Sequence, residues 1–82
     1  MIKIEKIEVL DNFFVYFYFS DGSNKTVDFK PFIDKNNPLT SPLLNTNFFK
    51  QVKIYENGRG IYWPNEFDFC PDYLRYFTKA VA

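Results

Sequence analysis

A chain of 82 residues and 9.8 kDa has room for one domain and one core. Ten basic and ten acidic residues cancel, and they alternate locally, as in Lys3-Glu5-Lys6-Glu8. That leaves no basic stripe for a phosphate backbone, which weighs against nucleic-acid binding by this domain. No apolar run approaches the roughly 20 residues of a membrane span, and four charges between Ile2 and Val9 are unlike a signal peptide, so a cytoplasmic location is expected.

Ile2 and Ile4 alternate with charges in one phase, Ile7 and Val9 in the other. The slip between Ile4 and Ile7 predicts either a bulge or a strand that begins near Ile4. Asp11-Asn12 reads as a turn. Phe13 to Phe19 is wholly aromatic or β-branched, which predicts a central strand. It directs Val15, Phe17 and Phe19 to one face and Phe14, Tyr16 and Tyr18 to the other. Ser20-Asp21-Gly22-Ser23 is a hairpin signal, and Lys25 to Phe29 follows as a third strand with Val27 and Phe29 facing inward.

Pro31 to Thr40 is a break, with short helical turns expected near Pro31-Phe32-Ile33 and Ser41-Pro42. Asn45 is placed to cap a helix of one to two turns running through Phe48, Phe49 and Gln51. Val52–Tyr55 and Ile61–Trp63 read as strands joined by the Asn57-Gly58-Arg59-Gly60 hairpin. Pro64 ends that pairing. Pro71 suits the first position of a C-terminal helix, with Asp72 in its first turn. Leu74 and Phe77, three apart with Tyr73 and Tyr76 beside them, predict one face packed on the sheet. The sum is a single α+β domain over residues 1–82: one antiparallel sheet of about five strands, in the order β-β-β-α-β-β-α, with short helices on one face.

These segments resemble, in order and wording, the bacterial family called domain of unknown function 2442. The residues that carry the likeness are Phe19-Ser20-Asp21-Gly22, Val27-Asp28-Phe29, Pro42-Leu43-Leu44, Phe48-Phe49-Lys50-Gln51-Val52, Trp63-Pro64-Asn65, Asp68 and Pro71-Asp72-Tyr73-Leu74. The resemblance implies a small α+β domain. In that family it stands alone or precedes a helix-turn-helix domain resembling a lambda-repressor-like regulator. Stand-alone members often accompany another small family in an arrangement that looks like a toxin–antitoxin pair. The resemblance implies no activity and no cofactor. Many relatives carry glycine where Glu66 stands, and that departure bears on whether a positive-φ turn follows Asn65.

The chain has no histidine and one cysteine, Cys70. It lacks the commonest general base near neutral pH and any thiolate or imidazole set for zinc. Cys70 is expected to be packed and inert. Glu66, Asp68 and Asp72 form the one acidic cluster; an alternative reading makes Glu66 and Asp68 the centre of a metal-dependent hydrolase. A further alternative stacks aromatic rings on single-stranded nucleic acid.

The leading expectation is a non-catalytic interaction or regulatory module without catalytic residue, metal or cofactor. Its partner would be another small protein, a second copy of itself, or both. Eleven phenylalanines, six tyrosines and one tryptophan each bring about 150–250 Å² of contact area, more than a small core hides. The candidate contact patch comprises Tyr16, Tyr18, Arg59, Tyr62, Trp63, Asn65 and Asp68, since Trp, Tyr and Arg dominate binding hot spots. Trp63-Pro64-Asn65 with Asp68 also reads as a structural corner. The Phe14/Tyr16/Tyr18 face is left either to a partner or to the loop from Pro31 to Leu44.

Overall fold

The computed structural model describes residues 2–79; Met1 and the last three residues of the predicted domain lie outside the described residues. Strand β1 (Ile4–Val9) pairs antiparallel with β2 (Phe14–Phe19), and the register shifts between Ile4 and Lys6. The phase slip in the sequence is thus a bulge. It keeps Ile4 and Ile7 on the core side although they are three residues apart. A three-residue loop closes this hairpin: Leu10 N–H donates to Phe14 O at 2.8 Å. Asn12 and Phe13 both take positive φ, 61° and 64°. Asparagine tolerates that conformation; a phenylalanine is held there against its preference. The Phe13 carbonyl accepts from Phe29 N–H at 2.9 Å and its ring packs edge-on against Phe49 at 5.1 Å.

The Asp-Gly turn, with Gly22 at φ 84°, leads into β3 (Asn24–Asp28), which pairs antiparallel with β2. Alternation falls as the sequence predicts. Val15, Phe17, Phe19 and Val27 are buried, while Phe14, Tyr16 and Tyr18 are half-buried on the outer face. Phe29 follows directly and is buried. Short 3₁₀ turns at Lys30–Phe32 and Ser41–Leu44 bracket the long loop. Buried Thr40 closes it, its hydroxyl accepting from Asp34 N–H at 3.0 Å and donating to Asp34 O at 3.2 Å. The Asn45 side chain accepts from the amides of Asn47 and Phe48, capping the one-turn helix α1 (Thr46–Phe49).

The expected single sheet of five strands is corrected to two sheets of three. Strands β4 (Lys53–Ile54), β5 (Ile61–Tyr62) and β6 (Asp68–Phe69) form a second antiparallel sheet in the order β4-β5-β6. It meets the first where the β4–β5 hairpin turn abuts β1 without a shared ladder. Gly58, at φ 72°, lies so close that a Cβ there would stand 2.5 Å from Ile4 O. A bulged edge twists away from regular pairing, so contact replaces hydrogen bonding at this seam.

Strand β6 lies beyond Pro64, where the sequence predicts that pairing ends. The chain instead turns over Pro64-Asn65-Glu66. Glu66 N–H donates to Trp63 O, and Trp63 N–H to Phe67 O, each at 2.9 Å. This is a three-residue hairpin loop whose last position is left-handed, and Glu66 occupies it at φ 70°. A positive-φ turn therefore does follow Asn65, with glutamate in it.

The two sheets and α1 enclose one core built on Phe29, whose ring lies 5.3–6.2 Å from those of Phe17, Phe32, Phe49, Trp63 and Phe69. The C-terminal helix is corrected too. After one α-type bond, Leu74 N–H to Cys70 O at 3.2 Å, it widens into a π-type turn over Tyr73–Phe77. Spacing of three no longer keeps residues on one face where the winding loosens to i→i+5 bonds. Leu74 is fully buried and Phe77 faces solvent.

Candidate functional site

On the outer face of the first sheet Tyr16 and Tyr18 sit two apart on β2, their rings edge-to-face at 4.9 Å. Charged side chains flank Tyr18 and Phe14 on this face. Tyr18 donates its hydroxyl to Glu8 Oε2 at 3.0 Å, and Lys6 Nζ lies 5.3 Å from its ring centre. Lys30 Nζ covers Phe14 at 4.4 Å and pairs with Asp28 at 3.1 Å. The bond to Glu8, then partial burial, then the Glu8 charge hold the Tyr18 hydroxyl above the usual tyrosine value. This face is amphipathic: ring flanks are screened by lysine stems and ring edges are left wet.

The second sheet brings Tyr62 and Asp68 together as cross-strand partners. Tyr55 joins them, its ring stacked on Tyr62 at 4.5 Å and its hydroxyl donating to Asp68 Oδ2 at 2.9 Å. That bond, with lesser help from burial and the Asp68 charge, raises the Tyr55 hydroxyl above its ordinary value. Tyr55 was missed because it ends a strand beside a turn; its pairing with Tyr62 exists only once the hairpin closes. Gln51, Lys53, Tyr62 and Pro64 line a shallow depression of about 470 Å³ on this side. Arg59 is exposed at the hairpin tip. Asn65 donates to Leu39 O at 2.8 Å and accepts from Phe67 N–H at 3.3 Å, so its side chain is spent on pinning the loop and its own turn.

Of the two readings of Trp63, contact anchor and structural corner, the structure gives the packed one and takes it off the exposed patch. It is 0% exposed, and its indole N–H donates to Phe49 O at 2.9 Å, tying β5 to α1. Cys70, expected to be packed, is exposed.

The most exposed rings are elsewhere. Tyr73, Tyr76 and Phe77 are 39%, 62% and 75% exposed. Tyr73 stacks on Phe77 at 6.0 Å and reaches the core through Phe32 and Phe69. Beside Phe77 lies a cavity of about 490 Å³ lined chiefly by Val27, Asp28, Pro31, Phe32 and Thr78. A polar clamp on the β2–β3 hairpin holds this segment. The Lys25 ammonium donates to Leu74 O at 2.9 Å, to Arg75 O at 3.2 Å, and to Thr78 O. Burial, then the nearby Arg75 charge, pulls Lys25 below the usual lysine value. Arg75 Nε donates to Ser23 Oγ at 2.8 Å and faces Asp21 at 3.6 Å. The Ser23 hydroxyl and amide bonds, with Arg75 adding its charge, keep the Asp21 carboxyl below its ordinary range.

Among the described residues no three His, Cys, Asp or Glu side chains gather to hold a metal ion, and no helix is long and apolar enough to cross a membrane. The fold and surfaces define a small mixed α/β domain that offers rings and backbone edges. The chain matches the family described as Protein of unknown function (DUF2442) over residues 4–80, and it belongs to that family. No curated protein and no solved structure matches it.

Proposed function

We propose that this protein is a non-catalytic interaction module, acting as the regulatory, antitoxin-like partner of another small protein. The observation that carries this reading is the aromatic wall of Tyr73, Tyr76 and Phe77 beside the cavity at β3. Large rings left in water on a 9.8-kDa domain that buries thirteen other apolar side chains among the described residues are a cost unless a partner covers them. The wall is rigidly presented, because Lys25 and Arg75 anchor its backbone to the hairpin, so little ordering entropy remains to be lost on binding.

The test is affinity purification of the tagged wild-type chain and of Phe77→Ser and Tyr76→Ser from the native host, with identification of what is retained. A defined protein held by wild type and lost from the variants, with the fold intact by circular dichroism, supports the reading. Equal retention by wild type and variants, or no retained protein at all, overturns it.

A further inference from the structure

We infer that a second copy of this chain pairs with it along the outer edge of β3, joining two first sheets into one six-stranded antiparallel sheet across a two-fold axis. This deepens the proposed interaction function, but through backbone on a different element from the aromatic wall.

The direction of the ladder identifies the edge. Phe29 N–H donates to Phe13 O, and Phe19 N–H to Ser23 O, each at 2.9 Å. In an antiparallel pair, bonded and non-bonded pairs alternate. Lys25 and Val27, paired with Phe17 and Val15, therefore turn their amides and carbonyls toward β2. Asn24, Thr26 and Asp28 turn theirs away from it. Among the described residues, no backbone group bonds to the amides or carbonyls of these three outside the β2 pairing. Such a row templates another strand.

Self-pairing selects one register. Centred on Thr26, it sets Thr26 against its own copy and Asn24 against Asp28, so all six outward groups of each chain find partners. On the outer face a carboxylate then meets an amide and threonine meets threonine, both favourable cross-strand pairs. Centring on Asp28 would oppose two carboxylates and leave Asn24 unpaired. The symmetric arrangement closes as a dimer, whereas pairing β3 with the β1 edge of another copy would propagate. Pro31 and Phe77, at the cavity bordering Val27 and Asp28, supply apolar area beside the ladder. A five-residue edge lies at the small end of interfaces, so the dimer forms at high concentration and dissociates on dilution. It also makes the two Phe14/Tyr16/Tyr18 faces one continuous surface.

Light scattering behind size-exclusion chromatography, over a concentration series, tests this. Wild-type mass should rise toward twice 9.8 kDa, with the Asn24, Thr26 and Asp28 amides exchanging hydrogen more slowly in the concentrated sample. Thr26→Pro removes an amide that β2 does not use, as edge strands tolerate. Thr26→Lys places like charges on the axis. Each should weaken the dimer at least tenfold while circular dichroism and melting remain those of a folded domain. Thr26→Lys keeps the test decisive if the proline variant fails to fold. A wild type that stays monomeric at millimolar concentration, a dimer that survives both folded variants, or an open-ended polymer overturns the inference. Tyr76→Ser lies outside the lining of the cavity beside β3, so a concentration-dependent dimer with no retained protein fails the proposed function alone, and a retained protein with a monomeric wild type fails this inference alone.

Discussion

At the scale of single residues, backbone strain and wet tyrosines set the measurable behaviour. Glu66 occupies a left-handed position at φ 70° in the loop joining β5 to β6, where a Cβ is a steric cost and glycine is not. Glu66→Gly should therefore stabilise the domain by about 0.4–1 kcal/mol despite its freer unfolded chain, because glycine takes this conformation without the Cβ clash. For a domain this size that is a rise of roughly 2–8 °C in melting temperature, read by calorimetry. A fall would show that the glutamate side chain makes a contact worth more than the strain. Tyr18 and Tyr55 have folded values above the ordinary 10.0. Stability linked to their protonated hydroxyls is fully present below pH 10.0 and is lost as pH rises through the raised folded values. Melting temperature should fall above pH 10.0, and the Tyr18→Phe/Tyr55→Phe double variant should fall less steeply. Parallel curves would remove both bonds from the account.

At the scale of elements, the first sheet was legible and the second only in part. Phe14 to Phe19 has no helix former, its alternation is strict, and the Asp-Gly turn specifies a hairpin. Even the bulge was readable, because a one-residue slip shows in the phase of Ile2, Ile4, Ile7 and Val9. Strands β4, β5 and β6 have two residues each, too short for any period to appear. The C-terminal segment was misjudged for another reason. Helical spacing assumes an α-helix, and the carbonyls of Leu74, Arg75 and Thr78 turn instead to the Lys25 ammonium 49 or more positions away in sequence. Lys25→Met should strip these carbonyls of a charged donor and cost about 1–3 kcal/mol. Hydrogen exchange at Leu74–Phe77 should accelerate far more than in β2. Uniform acceleration across the chain would show that the lysine serves global stability and not the segment.

At the scale of the whole molecule, one ring joins the parts. Phe29 touches rings from β2, the long loop, α1 and the second sheet. Phe29→Ala should cost about 3–5 kcal/mol, against a total of roughly 4–12 kcal/mol for a chain of this length. Urea denaturation should show the midpoint collapsing in a single transition. Two separated transitions would mean that the sheets fold independently around distinct cores.

Local chemistry along the chain was enough to settle which faces of the first sheet are apolar, where its hairpins turn, and that no imidazole or thiol set is available, since each depends on residue type and short-range spacing. Assembly in three dimensions alone decided that there are two sheets, that Trp63 goes inside, and that Tyr73, Tyr76 and Phe77 stay outside. Those outcomes turn on contacts between residues distant in sequence: the Gly58 turn against Ile4, the indole on Phe49 O, and Lys25 on the last helical carbonyls. A chain so rich in rings has more candidates for its core than places in it. Which of them are left in water is settled by the geometry that closes around Phe29, because composition ranks the candidates equally.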